Sequence, residues 1–553
     1  MTIPKLSELT LREKIGQTCI FHHQDLMKLD NPKEYFKNNP IGADWVSTEP
    51  KEVYKVIETE LGNPELNGKK EDMFINFVNY INKCMKIPLL PALDAAQGIP
   101  QNKFEGHAAL PTGTGLGATR DPELAYRYAR CLGDDIHSIG FRWVWSPVAD
   151  NSQKGADLRQ LTSDTEINCK MLTAFIKGMQ SAGVATGAKH FPGQDPDETR
   201  DFHFSTASYR GSLEEWENTQ GREFMACIEA GVDSIMVGHT TFKAVDDTLV
   251  NGALLPCSLS YKVVTEPIKG KLGFSGVCLT DDSAMKAMQT IYPRRQMYVE
   301  AIKAGIDMII NPQDLDYIDI LENAVLSGEL SEDRIDDACL RILKLKEKYG
   351  IFIDEEVPHP TEEKVKEISD NIHRVTREIT EKGLTLAANR TNFVPVDRNK
   401  IKKVKIFYIG YSQLCCEKVE KYIIPAFEKY GAKAEFQVGY TPEDDDTLDN
   451  YDLIVYATYI GFHAPAGAPY FFGKEIFMIS RIMRKCVEKS VGVSFGDVNI
   501  FYNYFTAAHT FVNCYSYTEE AIEGFVRGLY GDLKFIDYSP FPLNPVTKTN
   551  DVY

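Results

Sequence analysis

Two apolar runs of this sequence each end in groups that can move protons or attack an electrophile. The first, VATGAKHFPG, delivers Lys189 and His190 and leads into a loop carrying an Asp-x-His pair, Asp201 and His203. The second, GVCLTDD, ends in two carboxylates, Asp281 and Asp282. A carboxylate can act as nucleophile or base, and an imidazole, with an ordinary pKa near about 6.5, can give and take a proton near neutrality. Placed together, these groups suggest one active site. The bland alternatives are that Asp281 and Asp282 cap the following helix or pair with Lys286, and that Asp195, Asp197 and Glu198 belong to a solvated acidic turn with an incidental histidine.

Such a site needs a scaffold that gathers the ends of distant strands. Eight short apolar runs qualify: TCIF (18–21), ADWVS (43–47), LLPALD (89–94), WVWSPV (143–148), VATGAKH (184–190), SIMVGH (234–239), GVCLTD (276–281) and DMIIN (307–311). Helical patterns such as KEDMFINFVNYINKCMK, DPELAYRYARCLGDDIHSIG and TEINCKMLTAFIKGMQSAG lie between them, several closing on glycine. Alternating strand and helix implies parallel strands joined by right-handed crossovers, and eight units over roughly 300 residues match a (β/α)8 barrel. An open, doubly wound sheet is the rival. Polar groups at many strand ends (Asp94, Asp150, Lys189–His190, His239, Asp281–Asp282, Asn311) favour closure, which makes those ends converge.

The barrel is expected over 1–350, a linker with a connecting helix over 351–395, and a smaller α/β sandwich domain with a parallel sheet over 396–553. Its strands are expected at 403–410, 434–439, 451–458, 491–496 and 509–515. The helices are expected at 363–389, 415–430, 474–489 and 518–530.

Composition narrows the function. The 553 residues are 43% apolar and 25% charged, with net charge −18. That balance argues against a nucleic-acid partner, which needs a basic stripe. No run is apolar enough for a membrane span, and no secretory leader is evident, so a cytoplasmic location is expected. Twelve scattered cysteines without a CxxC suit reduced thiols. His22–His23, His190 and His203 lack metal-ligand spacing, so no metal is expected. GTGLG (113–117) imitates a dinucleotide loop but follows no apolar strand, so no cofactor is expected.

The order LTLREKIGQ, PLLPALDAAQG, LPTGTGLGATRDPELAYRYARCLGDDIHSIGFRWVWSPVAD, KHFPG, IMVGH, GVCLTDD and AVLSGELSEDRIDDACLRILKLKEKYG resembles glycoside hydrolase family 3, in its β-N-acetylglucosaminidase branch. The later SFGD, FYNYF and CYSYTEEAIEGFVRGLYG look like that family's C-terminal sandwich domain. KHFPG followed by Asp-x-His is the most specific element. Two departures bear on the choice of sugar: Gln194–Asp195 stand where the branch usually has His-Gly, and Ala95–Ala96–Gln97–Gly98 stand where it has an acidic-Gly-Gly run.

The resemblance implies a retaining glycosidase with Asp281 as nucleophile, Asp282 remaining the local alternative. It implies His203 as acid/base, oriented by Asp201. Lys189, His190, Asp94 and Arg159 are the implied sugar contacts, with an Asp94–Arg159 ion pair as the structural alternative. His239 is equally readable as a sugar contact or a supporting group. The expected activity is exo-release of β-linked N-acetylglucosamine from small saccharides by a monomer or homodimer. The alternatives are a β-glucosidase or other β-hexosidase, a glycoside phosphorylase, or a non-catalytic sugar-binding protein.

Overall fold

The computed structural model describes residues 3–22, 32–46, 70–96, 107–151, 158–195, 198, 200, 203–289, 291–352, 356–461, 470–471 and 473–544. The chain divides into two compact units. One comprises Met1–Ala108, Ala125–Asp150 and Leu172–Asn371, the other Ala109–Leu124, Asn151–Met171 and Ile372–Tyr553.

In the first unit eight parallel strands close into a barrel: β1 (Cys19–His22), β2 (Ala43–Val46), β3 (Leu90–Leu93), β4 (Trp143–Val144), β5 (Ala185–Phe191), β6 (Ser234–Val237), β7 (Val277–Asp282) and β8 (Met308–Ile310). They are the eight expected runs, in ring order, with β1 pairing both β2 and β8. Alternate residues of the strands build one core: Ile20, Ala43, Ala92, Trp143, Met236, Leu279 and Ile310 among them, joined by Ile342 and Leu345 of the helix Glu332–Lys348. The strands are buried on both faces, and alternate residues turn to this core, as a barrel wall requires. Helices start on local signals; at Leu11–Gln17 the Thr10 hydroxyl accepts from the Glu13 N–H, and the Glu13 carboxylate accepts from the Thr10 N–H.

The amino ends of the strands are stapled by buried charge. Asp233, just before β6, accepts from the Thr186 N–H at 2.9 Å, Gln180 Nε2 at 2.8 Å, the Tyr349 hydroxyl at 2.7 Å and Lys348 Nζ at 2.5 Å. Asp307, just before β8, accepts from the Cys278 N–H at 2.9 Å, Lys269 Nζ at 2.7 Å and Arg334. Lys346 is fully buried and donates to Gln17 Oε1 at 2.6 Å and the Pro88 carbonyl at 2.7 Å; burial brings its ammonium down to about 7. Asp44 in β2 differs: among the described residues neither carboxyl oxygen has a hydrogen-bond partner, and burial pushes its pKa up to about 8.

The second unit holds a six-stranded sheet of β9 (Thr385–Asn389), β10 (Lys403–Gly410), β11 (Lys433–Val438), β12 (Leu453–Tyr459), β13 (Ser490–Ser494) and β14 (Thr510–Asn513), in the order β9-β14-β13-β12-β10-β11. All neighbours are parallel except β9 against β14. Adjacent residues face opposite layers: Ile406, Val455 and Val493 pack with Phe525, whereas Phe407, Tyr456 and Phe511 pack with Phe501.

Two sequence expectations change here. The helix expected over 363–389 is Glu362–Gly383, and its tail is edge strand β9. The helix expected over 474–489 stops at Ile479, and Met483 and Cys486 adopt positive φ, which keeps a helix from running on to 489. The GTGLG glycines form part of a helix, Gly113–Ala118, within the second unit. A Cβ on Gly117 would lie 1.7 Å from the Leu161 carbonyl oxygen, so close backbone contact accounts for this glycine.

Candidate active site

β5 is buried along its whole length and ends on the Lys189–His190 pair. Lys189 Nζ, with its side chain 1% exposed, donates to Asp94 Oδ1 at 2.7 Å, just past the end of β3. A buried ammonium is tolerated only with such a partner. Asp94 thus has Lys189 as an ion-pair partner. Asp150, beyond β4, is fully buried and grips His190 twice: it accepts from the His190 N–H at 3.2 Å and lies 2.7 Å from Nδ1. Opposite that carboxylate, Nδ1 carries the proton, and Nε2 is the ring atom on the far side. Behind this strand end, Gly193 takes φ +102, and a Cβ there would meet the Gln220 carboxamide oxygen at 1.5 Å. The KHFPG turn thus needs glycine for both conformation and space.

The two carboxylates at the end of β7 have different surroundings. Asp282 Oδ1 accepts from the Ala284 N–H at 2.9 Å and from Asn311 Nδ2 at 2.8 Å, tying the turn to the end of β8. The β7–β8 register also shifts between Leu279 and Asp282, the kind of irregularity that re-aims strand-end side chains. Asp281 accepts the Asp282 N–H at 2.8 Å. Burial would push the Asp281 carboxyl up, but His190, His239, that N–H and Lys189 outweigh it and hold it below the usual carboxylate range. For Asp282, burial dominates and the neighbouring Asp281 charge adds to it, so its pKa is raised. The capping role foreseen for both carboxylates falls to Asp282, and Asp281 is the one poised as an anion. Neither pairs with Lys286, whose ammonium lies over the Phe204 ring, 5.9 Å from its centroid.

His239 sits just beyond β6, 2% exposed, with Nε2 3.1 Å from the Asp282 carbonyl and Nδ1 2.8 Å from the Ser258 hydroxyl. A carbonyl can only accept, so Nε2 carries the proton and Nδ1 accepts from Ser258. Burial lowers its pKa. These bonds make it a brace for the β7 turn.

The loop after KHFPG is held by its own acids. Asp195 accepts from the Arg210 N–H at 2.7 Å and from its guanidinium, and Glu198 binds Arg200 and the Ser208 N–H, which together hold the Glu198 carboxyl at about 2 against the effect of burial. They act as staples. His203 follows: its carbonyl accepts the Lys286 N–H at 3.1 Å, which ties the loop to the turn after Asp281, and its side chain stands within electrostatic reach of both Asp282 and His239. Asp201 lies outside the described residues. Arg159 belongs to the second unit. The structure thus gathers Asp94, Lys189, His190, His239, His203 and Asp281 within the barrel unit, and it adds Asp150, which the sequence marks only as a strand-end acid, and Ser258, which nothing in the sequence marks.

Residues 10–345 match the Glycosyl hydrolase family 3 N terminal domain. A β-N-acetylglucosaminidase/β-glucosidase of Cellulomonas fimi is 28% identical over 331 residues, which is 58% of this chain and 58% of that protein. The chain thus spans less than two thirds of that curated relative. Among solved structures, a β-glucoside phosphorylase superposes with TM-score 0.82 at 21% identity, covering 98% of this chain and 96% of the other. A family 3 β-N-acetylglucosaminidase from Paenibacillus superposes with TM-score 0.79 at 22% identity, covering 97% and 99%.

Proposed function

The chain belongs to glycosyl hydrolase family 3, and on that premise we propose that it is an exo-acting retaining glycosidase that releases terminal β-linked N-acetylglucosamine from small saccharides in the cytoplasm. The observation that carries this reading is the unequal treatment of two adjacent acids: Asp282 is spent on the turn, and Asp281 is held as an anion beside Lys189, His190 and His239.

In the proposed first step the Asp281 carboxylate attacks the anomeric carbon while His203 gives its proton to the departing glycosidic oxygen. A glycosyl ester on Asp281 results, and the aglycone leaves as an alcohol. In the second step His203 takes a proton from water, the hydroxide equivalent attacks the anomeric carbon, and Asp281 departs as a carboxylate. Two displacements retain the β configuration. Lys189, His190 and Asp94 hold the sugar hydroxyls; Asp201 orients His203.

The test is turnover of an aryl β-N-acetylglucosaminide against a panel of other aryl glycosides, with Asp281→Asn and His203→Ala as controls. Full turnover by either variant would remove it from its role, and preference for a β-glucoside would move the assignment to a β-glucosidase.

A second reading keeps the site and changes the acceptor. With an imidazole as acid/base, no second carboxylate repels an incoming anion, so inorganic phosphate can replace water in the second step. Formation of sugar 1-phosphate in phosphate buffer decides between them.

A further inference from the structure

We propose that Phe204 and Lys286 form the subsite for the departing group, and that they select leaving groups with a flat apolar face beside a carboxylate. This rests on the glycosidase reading above, because a leaving group is defined only if a glycosidic bond is cut at Asp281.

The placement follows from the loop. The acid that protonates the leaving oxygen must stand between the sugar and the group that departs. His203 is that acid, Phe204 is its immediate neighbour, and the His203 carbonyl accepts the Lys286 N–H at 3.1 Å. That backbone bond and the contact of the Lys286 ammonium with the Phe204 ring hold Lys286 and Phe204, the latter next to His203 in the chain, beside the β7 turn. Phe204 is 53% exposed. Its partner in the fold is the Lys286 ammonium, 5.9 Å from the ring centroid, a cation–π arrangement. Among the described residues no carboxylate pairs with that ammonium: Asp195 and Glu198 of the same loop are taken by arginines, and Asp282 by Ala284 and Asn311. An open aromatic face suits the apolar side of a sugar or aryl ring. A cation beside it, with no carboxylate partner among the described residues, suits an anionic substituent.

The experiment uses the full chain carrying Asp281→Asn, so that uncleaved ligand can be titrated. The probes are 4-carboxyphenyl and 4-carbamoylphenyl β-N-acetylglucosaminide, alike in size and different in charge. Calorimetry is expected to show the carboxylate bound about threefold more tightly, the scale of an exposed ion pair, with the preference shrinking as salt rises. Adding Lys286→Gln is expected to abolish the preference. Adding Phe204→Ala is expected to weaken both probes alike, and Phe204→Tyr to restore them.

Equal affinity for the two probes, or a preference that survives Lys286→Gln, overturns the subsite. Turnover by the unsubstituted chain is measured separately. Turnover without charge preference overturns the subsite alone, charge preference without turnover overturns the glycosidase reading alone, and no binding of either probe overturns both.

Discussion

At the amino ends of β6 and β8, Asp233 and Asp307 accept bonds from backbone N–H groups and from Lys348, Tyr349, Lys269 and Arg334. At the carboxyl end of β7, which lies between those strands, Asp281 accepts a hydrogen bond from one described residue, the Asp282 N–H. The side chain is the same and the strands are neighbours. A buried carboxylate with every lone pair occupied is a staple, and removing it strands its cations. One with acceptor capacity left over, kept ionised by neighbouring polar groups and a single N–H, is available to an electrophile. Asp281 is only partly buried where Asp233 and Asp307 are buried, but the sharper difference is saturation, which separates the structural acids from the proposed reactive one.

The strongest test of that contrast is to neutralise one acid at each end. Asp281→Asn is expected to lower kcat on an aryl glycoside by about a thousandfold or more, removing the nucleophile while the melting temperature holds. Asp307→Asn is expected to do the reverse, costing about 3–5 kcal/mol in urea unfolding by leaving Lys269 and Arg334 without their carboxylate, with kcat of the folded enzyme little changed. If both substitutions reduced stability alone, the contrast would fail.

A smaller effect sharpens the picture at the catalytic end. Asp150 acts through His190, so Asp150→Asn is expected to reduce kcat/KM by about tenfold to a hundredfold and to move the pH–rate profile. A purely structural role would lower the melting temperature and leave the profile in place. In the unsubstituted enzyme the acid limb of kcat/KM should fall below the usual carboxylate range, because Asp281 is held ionised there.

The smallest expected effect concerns Asp44, which is neither saturated nor catalytic. Its folded pKa, about 8, lies above the unfolded value. Its contribution to stability is therefore full at low pH and is lost as pH rises toward about 8. Asp44→Asn should remove up to about 2 kcal/mol of the decline between roughly pH 6 and pH 8, read from denaturation at the two pH values.

Much of this architecture is legible in the sequence because barrel strands announce themselves as apolar runs with polar ends. All eight appear where expected. β9 is missed because TLAAN directly continues a long amphipathic helix and carries no β-branched run; pairing with β14 decides its state. The difference between Asp281 and Asp282 is invisible locally, since the group that binds Asp282 is Asn311, just past the following strand. Asp150 hides for a similar reason. It is one of several strand-end acids, and only the fold brings His190 onto it.

The second unit is assembled from three pieces of chain, with Thr112 donating to the Tyr515 carbonyl at 2.7 Å, Thr162 to the Pro540 carbonyl at 2.8 Å and Lys382 to Asp121 at 2.8 Å. No single crossover can exchange such a unit between relatives. A chimera joined near residue 371 would inherit residues 109–124 and 151–171 from one parent and the sheet they bind from the other, so recombination should succeed only where all three segments travel together.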